Sequence, residues 1–310
     1  MTELFDCRDT YAATLLDLAQ TDRDVVVVVN DSVGSSKLGG FRKELPDQMV
    51  NVGIAEQNMV GVAAGLANGG KVPFVSAAGC FLSARAMEQV KADLAYSGHH
   101  VVLAAQSPGV AYGGLGATHH SIEDVSWMRT LPGMTVLVPA DPAETEQALR
   151  WAVGHDGPVY VRISRAKVPA VHPDDYAFAP GKATVLREGD DVALLANGTV
   201  LHRALAAADL LAERGIAARV VSMGSVKPID VDVVVAAARE TRGLVTVEEG
   251  LAAGGLGGAV AEVLTEHAPA RLVRLGLPDT FAPTGSDAWI LDHFGLDPEG
   301  IAASAATLVE

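Results

Sequence analysis

Apolar runs alternate with amphipathic stretches along the chain, and this alternation predicts its architecture. Residues 25–29 are five consecutive valines, typical of a strand buried on both faces of a parallel sheet. Such runs recur, with helical stretches between them, up to residue 163, which predicts a doubly wound parallel sheet of the α/β class. We expect strands at residues 25–29, 49–52, 72–76, 101–105, 135–138 and 159–163. We expect helices at residues 8–20, 84–96, 122–130 and 142–153, and a further helix that begins at Glu56.

A second, smaller α/β unit is predicted after a proline-rich segment. Residues 167–181 carry Pro169, Pro173 and Pro180 with acidic residues between them, which indicates a linker. We therefore divide the chain into domains at 1–180 and 181–310. In the second domain we expect strands at residues 192–196, 219–223, 244–247 and 272–275, and helices at 200–213, 232–240 and 258–267.

Glu56 is the first candidate for chemistry, because it opens a helix that is otherwise small and apolar. Apolar residues occupy nearly every face of this helix, so we expect it to be buried. A carboxylate there loses hydration and must be neutralised, paired or used on a ligand. The alternative is a carboxylate that only caps a helix N-terminus.

Other motifs support weaker hypotheses. The glycine-rich residues 254–258 open a helix but lack the spacing of a phosphate loop, so tight helix packing is favoured over a ligand. His119 and His120 could suggest a metal, but neighbouring histidines on an extended loop point apart and no further ligand is suitably spaced; we expect no metal site. A Ser-His-Asp hydrolase is not supported, because the chain has no Gly-x-Ser-x-Gly elbow.

Composition and charge exclude several classes of function. Of 310 residues, 49% are hydrophobic and 20% charged, as in a folded globular protein. A net charge of −15 without a basic cluster argues against a nucleic-acid partner. The apolar runs are too short to span a membrane, and no signal peptide is expected. The only cysteines, Cys7 and Cys80, are far apart, which suits reduced thiols and a cytoplasmic location.

Motifs in order along nearly the whole chain resemble the transketolase family. One group is similar to the transketolase pyrimidine-binding domain, and the other to its C-terminal domain. The first group comprises Asn51-Val-Gly-Ile-Ala-Glu56-Gln, Gly116-Ala-Thr-His119-His, residues 131–141 and Val161-Arg-Ile-Ser-Arg165, and the second Lys227-Pro-Ile-Asp230, Val245-Thr-Val-Glu-Glu249 and Gly276-Leu-Pro-Asp279. The Gly-Asp-Gly half, which in this family binds diphosphate and Mg²⁺, has no match.

The resemblance implies ketol transfer that depends on thiamine diphosphate. Glu56 would share a proton with N1′ of the aminopyrimidine, while the cofactor acts as the electron sink. Asp31 would face the cofactor, Phe81 would pack on its pyrimidine ring, and His119 would reach the substrate. The groups that resemble a sugar-phosphate site are Arg8, Ser35 and Arg165.

Two positions depart from the family pattern at the donor sugar. Leu115 replaces an acidic residue, and Ser107 replaces a histidine at the start of the same loop. A donor hydroxyl against Leu115 would lose its hydrogen-bond partner, so the usual pentulose phosphate is disfavoured. The alternative is that a partner subunit supplies the lost contacts.

These observations predict the C-terminal subunit of a split transketolase. We expect it to work on sugar phosphates in a heterotetramer, whose diphosphate-binding subunit anchors thiamine diphosphate and Mg²⁺. One alternative is a β-type subunit of a 2-oxo acid dehydrogenase or another thiamine enzyme. The other is a non-catalytic binding protein that retains only the fold.

Overall fold

The five valines of the predicted first strand lie inside a seven-stranded sheet in the computed structural model, which describes residues 3–310. All five are buried, as expected for a strand covered on both faces. The strands are β1 (Phe5–Asp6), β2 (Val25–Val29), β3 (Met49–Asn51), β4 (Val72–Ala78), β5 (Val102–Gln106), β6 (Thr135–Leu137), β7 (Val159–Ile163), β8 (Lys167–Val168), β9 (Thr184–Arg187), β10 (Val192–Ala196), β11 (Ala218–Ser222), β12 (Ser225–Lys227), β13 (Leu244–Leu251) and β14 (Leu272–Leu277).

The helices pack on the faces of this sheet and of a second, smaller sheet. They are α1 (Cys7–Thr21), α2 (Gly39–Glu44), α3 (Glu56–Asn68), α4 (Met87–Gln89), α5 (Asp124–Thr130), α6 (Pro142–Val153), α7 (Leu201–Glu213), α8 (Val231–Glu240), α9 (Leu256–His267), α10 (Asp287–His293) and α11 (Pro298–Ala306). Helices α1 and α6 pack on one face of the first sheet, while α3 and α5 pack on the other. The predicted doubly wound architecture is confirmed.

The strand order of the large sheet is β12-β6-β7-β5-β4-β2-β3, and only β12 runs antiparallel to its neighbour. The order reverses between β2 and β4, because the chain passes from β2 outward to β3 and then returns to β4. Ligands of open α/β sheets bind at such a switch point, beyond the carboxyl ends of the strands.

The second sheet has the order β14-β13-β10-β11-β9, with only the β9–β11 pair antiparallel. Strand β12 follows β11 in sequence but joins the edge of the first sheet, where it pairs with β6. The two domains are therefore joined by strand pairing as well as by the segment between them. That segment is not a loose linker, because His172 is buried in it and β8 pairs with β1.

Several elements differ from the sequence predictions. The chain continues after β14 into α10 and α11, which were not predicted, and the short strands β1, β8, β9 and β12 were also missed. The predicted helix at 84–96 begins earlier, with π-helical turns at Phe81–Arg85 and Val90–Tyr96 on either side of α4.

The expectation that the Glu56 helix is buried on nearly every face is wrong for this chain. Helix α3 buries Glu56, Met59, Val60, Ala63 and Ala64 against the sheet. Its opposite face, which includes Gln57, Asn58 and Gly65, is exposed. The helix therefore has a packed side, formed by the sheet and by the helical stretch at residues 81–96, and an open side.

Candidate active site

Glu56 lies at the switch point of the sheet, as the first residue of α3, and only 1% of its surface is exposed. Ala55 is the N-cap of α3 and no side chain caps the helix. The carboxylate instead accepts hydrogen bonds from Asn30 Nδ2 at 3.1 Å and Arg85 Nη1 at 2.7 Å. Glu56 is therefore held by side chains from outside its own helix.

The ionisation of Glu56 follows from these contacts. Burial alone would raise the pKa of Glu56, but the hydrogen bonds from Arg85, from its own backbone N–H and from Asn30 outweigh it and lower the pKa below its ordinary value. In this chain Glu56 is thus an ionised, paired carboxylate. The sequence led us to expect a carboxylate that is neutralised, paired or used on a ligand, and the structure shows it paired.

A group of rings and cations lies beside Glu56. The Arg85 guanidinium carbon stands 4.4 Å from the centroid of the Phe81 ring, a cation–π contact. On another side of Phe81, the His119 ring packs edge-on with centroids 5.2 Å apart. Phe81 and Arg85 both belong to the π-helical turn after β4, a type of turn that is frequent at functional sites.

The group extends through Tyr112 to Arg165. The Tyr112 and His119 rings pack edge-on at 5.9 Å, and the Arg165 guanidinium carbon lies 4.8 Å from the Tyr112 ring centroid. A continuous series of contacts therefore joins Glu56, Phe81, His119 and Arg165, although they are spread over 110 positions of sequence.

The three predicted phosphate ligands are only partly free. Arg8 is 8% exposed, and its guanidinium binds the Asp6 carboxylate at 2.6 Å and the backbone oxygen of Ser35 at 2.9 Å. The hydroxyl of Ser35 donates to the backbone oxygen of Ser32. Arg165 stacks on Tyr112, and within residues 3–310 its side chain makes no hydrogen bond or ion pair. Of the two arginines, Arg165 is thus the one whose guanidinium is available to a phosphate.

Beside Arg165 there is an open cavity of about 590 Å³, lined by Tyr112, Leu115, Arg165 and Asp287. Leu115 is 58% exposed there, so an apolar side chain faces the space. Ser107 is buried with a positive φ of 54° at the end of β5, a strained conformation of the kind that clusters at functional sites. Asp31 lies exposed two residues after the end of β2 and outside the ring group.

The second domain holds the loop that carries His119. Glu249 in β13 is buried, and it accepts hydrogen bonds from the backbone N–H of Val110 at 2.8 Å and from the Thr199 hydroxyl. Gly109 has a φ of +64°, and a Cβ there would collide with Glu249. Further along, the backbone N–H of Gly285 donates to the carbonyl oxygen of Gly113 at 3.1 Å.

The glycine-rich motif at residues 254–258 has a structural partner. The Glu248 carboxylate accepts from the backbone N–H groups of Leu256 and Gly257, both at 2.8 Å, and so fills the N-terminus of α9. This contact agrees with helix packing at residues 254–258. His119 is half-buried and His120 buried, and residues 3–310 contain no cluster of three or more His, Cys, Asp or Glu suited to a metal.

Sequence reasoning missed Asn30, Arg85 and Tyr112. Each makes direct contact with a predicted residue, but none shares a spacing pattern with it. Asn30 gave one usable signal, because it is the first polar residue after the buried strand β2.

The fold and the site define the class of a two-domain α/β protein that has a buried glutamate and an aromatic ring at the switch point of its first sheet. Residues 4–171 match the family "Transketolase, pyrimidine binding domain", and residues 181–301 match "Transketolase, C-terminal domain". The chain belongs to the transketolase family, and its domain content is that of the C-terminal subunit of a split transketolase.

Similar proteins agree with this family. The chain is 47% identical over 306 residues to one subunit of the apulose-4-phosphate transketolase of Phocaeicola vulgatus, covering 98% of this chain and 97% of the relative. It is 41% identical to "6-deoxy-6-sulfo-D-fructose transketolase subunit SqwH" of Clostridium sp. (strain MSTE9), covering 98% and 94%. A solved "Split gene transketolase, inactive beta4 tetramer" superposes with a TM-score of 0.89 at 41% identity, covering 98% of this chain and 97% of that one. These matches favour a transketolase over a 2-oxo acid dehydrogenase subunit.

No helix within residues 3–310 is long and apolar enough to cross a membrane.

Proposed function

We propose that this chain is the pyrimidine-binding subunit of a two-subunit transketolase that moves a two-carbon ketol unit from a phosphoketose to an aldose. The observation that carries the proposal is the grouping of Glu56, Phe81 and His119 at the switch point of the sheet. When bound, thiamine diphosphate would supply the carbanion-stabilising chemistry.

The residues beside Glu56 suit an aminopyrimidine. The ring needs a carboxylate for its N1′ and an aromatic face for stacking, and Glu56 and Phe81 offer both. The Arg85 guanidinium supports this fit, because this flat group with N–H donors already contacts Glu56 and Phe81 together.

Each residue then has a definite role. Glu56 would hold the proton at N1′, in a site where solvent is excluded and the placement of that proton is controlled. His119, fixed between Phe81 and Tyr112, would orient the oxygen atoms of the substrate. Arg165 would bind the sugar phosphate, with Arg8 and Ser35 shaping the same site, and Asp31 would face the cofactor.

We place the diphosphate and Mg²⁺ on a partner subunit. The diphosphate tail needs an anchor that the Glu56 pocket does not offer, so the chain alone should bind the cofactor weakly. The open face of α3 and Ile54, which is 74% exposed just before Glu56, offer a surface that the partner could cover. The two buried cysteines, Cys7 and Cys80, fit a reducing cytoplasm.

The donor is proposed to differ from xylulose 5-phosphate in its carbon skeleton or hydroxyl pattern, as a branched or deoxygenated sugar does. Leu115 projects into the cavity beside Arg165 and cannot pair with a donor hydroxyl. The relatives named above concern apulose 4-phosphate and 6-deoxy-6-sulfo-D-fructose, neither of which is xylulose 5-phosphate.

Partner dependence and donor choice are tested in one set of assays. The chain, the diphosphate-binding partner and their mixture are assayed with cofactor, Mg²⁺, several ketose phosphates and pyruvate. We expect activity only in the mixture, with ketose phosphates as donors and xylulose 5-phosphate not the best. Activity of the chain by itself would contradict the assignment to half an enzyme, and a preference for pyruvate would contradict ketol transfer. If xylulose 5-phosphate is the best donor, the inference from Leu115 is wrong.

A further inference from the structure

Arg85 makes two contacts at once with the residues that the proposed function gives to the cofactor ring. Its Nη1 donates to Glu56 Oε2 at 2.7 Å, and its guanidinium carbon lies 4.4 Å from the Phe81 ring centroid. The carboxylate is enclosed, with 2% of the Glu56 side chain exposed, whereas 46% of the Arg85 side chain is exposed. Arg85 thus reaches inward from the solvent edge of the site.

A guanidinium can imitate a protonated aminopyrimidine in its main features. Both are flat, both present N–H donors in a fixed plane, and both stack on an aromatic face. One Glu56 oxygen accepts a hydrogen bond from Asn30 and the other accepts one from Arg85, so both oxygens already have a donor before any ring binds. A ring that packs on this face of Phe81 must displace Arg85, because the guanidinium already lies over that face.

We propose that Arg85 is an internal stand-in for the aminopyrimidine ring, which occupies the pocket until the cofactor binds and then moves out. This proposal rests on the proposed function, because it assumes that Glu56 and Phe81 receive the ring.

The stand-in has a physical reason. A buried carboxylate without a cation is costly, so Arg85 stabilises the unassembled chain by keeping Glu56 paired. Its exposed side chain can move into solvent while the rest of the site stays in place. Release of Arg85 also removes the contact that lowers the pKa of Glu56, so the carboxyl group is better able to keep a proton for a ring nitrogen.

The proposal predicts opposite effects of one substitution on stability and on ring binding. Arg85→Ala should lower the melting temperature, because Glu56 keeps only Asn30. The same variant should bind the cofactor more tightly, because no internal group competes. If the released conformation is about a tenth of the unbound population, the gain is about tenfold.

The test measures melting temperature and dissociation constants by calorimetry for wild type, Arg85→Ala and Arg85→Lys. Thiamine is the probe for the isolated chain, and thiamine diphosphate with Mg²⁺ is the probe for the complex with the partner subunit. Arg85→Lys keeps the charge but not the flat group, so its affinity should lie between the other two. Lys91→Ala is the matched control, since Lys91 is an exposed cation of the same helical stretch. It should change neither quantity.

Two results would overturn the stand-in. The first is an Arg85→Ala variant that binds the probes no more tightly than wild type in either form. The second is a variant that loses stability and cofactor affinity together, as expected of a residue that only supports the site. Failure of the proposed function looks different, because an assembled complex with no affinity for thiamine diphosphate in any variant would reject the cofactor itself.

Discussion

At the scale of single residues, the environment of Glu56 was predictable in kind but not in its partners. A carboxylate at the start of an apolar helix has to be paired or used, and the sequence carries that much. The partners Asn30 and Arg85 come from elements 26 and 29 positions away. They meet Glu56 only because β2 and β4 are neighbours in the sheet.

His172 gives a prediction about pH. Burial alone would lower the pKa of His172, but Asp141 and Glu144 face it and raise the pKa above its ordinary value. The Asp141 carboxylate lies 3.0 Å from His172 Nδ1, and the Ser222 hydroxyl lies 3.1 Å from Nε2. The stabilisation by protonated His172 is present below about pH 6.5, its ordinary pKa, and is lost as the pH rises through the raised pKa.

We therefore expect His172→Gln to melt below wild type at pH 6 and the gap to narrow by pH 9. About 1 kcal/mol corresponds to a shift of roughly 2–4 °C for domains of this size. Melting curves of both proteins across this range check the prediction. A gap that is constant with pH would show that His172 is neutral in the folded chain.

Asp141 behaves in the opposite sense at low pH. Burial would raise its pKa, but the contacts with His172 and the backbone lower it to about 2. Its stabilisation is present above its ordinary pKa of 3.8 and is lost as the pH falls through about 2. Asp141→Asn should therefore remove part of the acid dependence of stability between pH 4 and 2, which acid titration followed by circular dichroism can measure.

At the scale of elements, strands with long apolar runs were predicted well, whereas short strands and the last two helices were missed. Strands β2 and β10 carry continuous apolar signals. The missed helix α11 carries the same start signal as the predicted helix α6, because Asp297-Pro298 opens α11 as Asp141-Pro142 opens α6. The missed strand β12 has three residues and is defined by its partner β6, which no local pattern reveals.

The second domain holds the loop that carries His119, so we expect the conformational order of this loop to depend on Glu249. Glu249→Ala removes the buried acceptor of the Val110 N–H, a loss of about 1–3 kcal/mol. Hydrogen exchange across residues 108–121 should accelerate about tenfold or more, and the KM of the complex for the donor should rise.

Glu248→Ala is the control for this prediction. Glu248 is the preceding residue and is also buried, but its carboxylate caps α9 and does not contact the loop. The substitution should destabilise the second domain and leave exchange in the loop unchanged. Equal acceleration in both variants would mean that Glu249 acts only through the stability of its domain.

At the scale of the whole molecule, the chain has a site that opens to one side. Helix α3 is buried on its sheet face and exposed on the other, although its sequence is apolar nearly all round. The two-domain division and the family could be read from the sequence, because they rest on motifs in order. The strand exchange through β12 and the docking of the segment around His172 could not, since both depend on long-range contacts.

This open side predicts how the chain assembles. We expect equimolar mixtures with the diphosphate-binding subunit to form a complex of two copies of each chain by native mass spectrometry. Ile54→Asp should weaken that association by about tenfold or more, because it would bury a charge beside α3. Val185→Asp, at a 38% exposed position of β9 in the other sheet, should have no effect. Loss of assembly in both variants, or in neither, would argue against the α3 side as the interface.

The measurement that tests the account most directly is the turnover of Glu56→Gln in the assembled complex with cofactor, Mg²⁺ and a productive donor. Gln keeps the shape of Glu56 but cannot hold the N1′ proton, so turnover should fall by a factor on the order of 10² or more while assembly is retained. Glu88→Gln, at an exposed glutamate of α4, should match wild type. Near wild-type turnover in Glu56→Gln would contradict the account, because Glu56 would then be only a structural partner of Arg85.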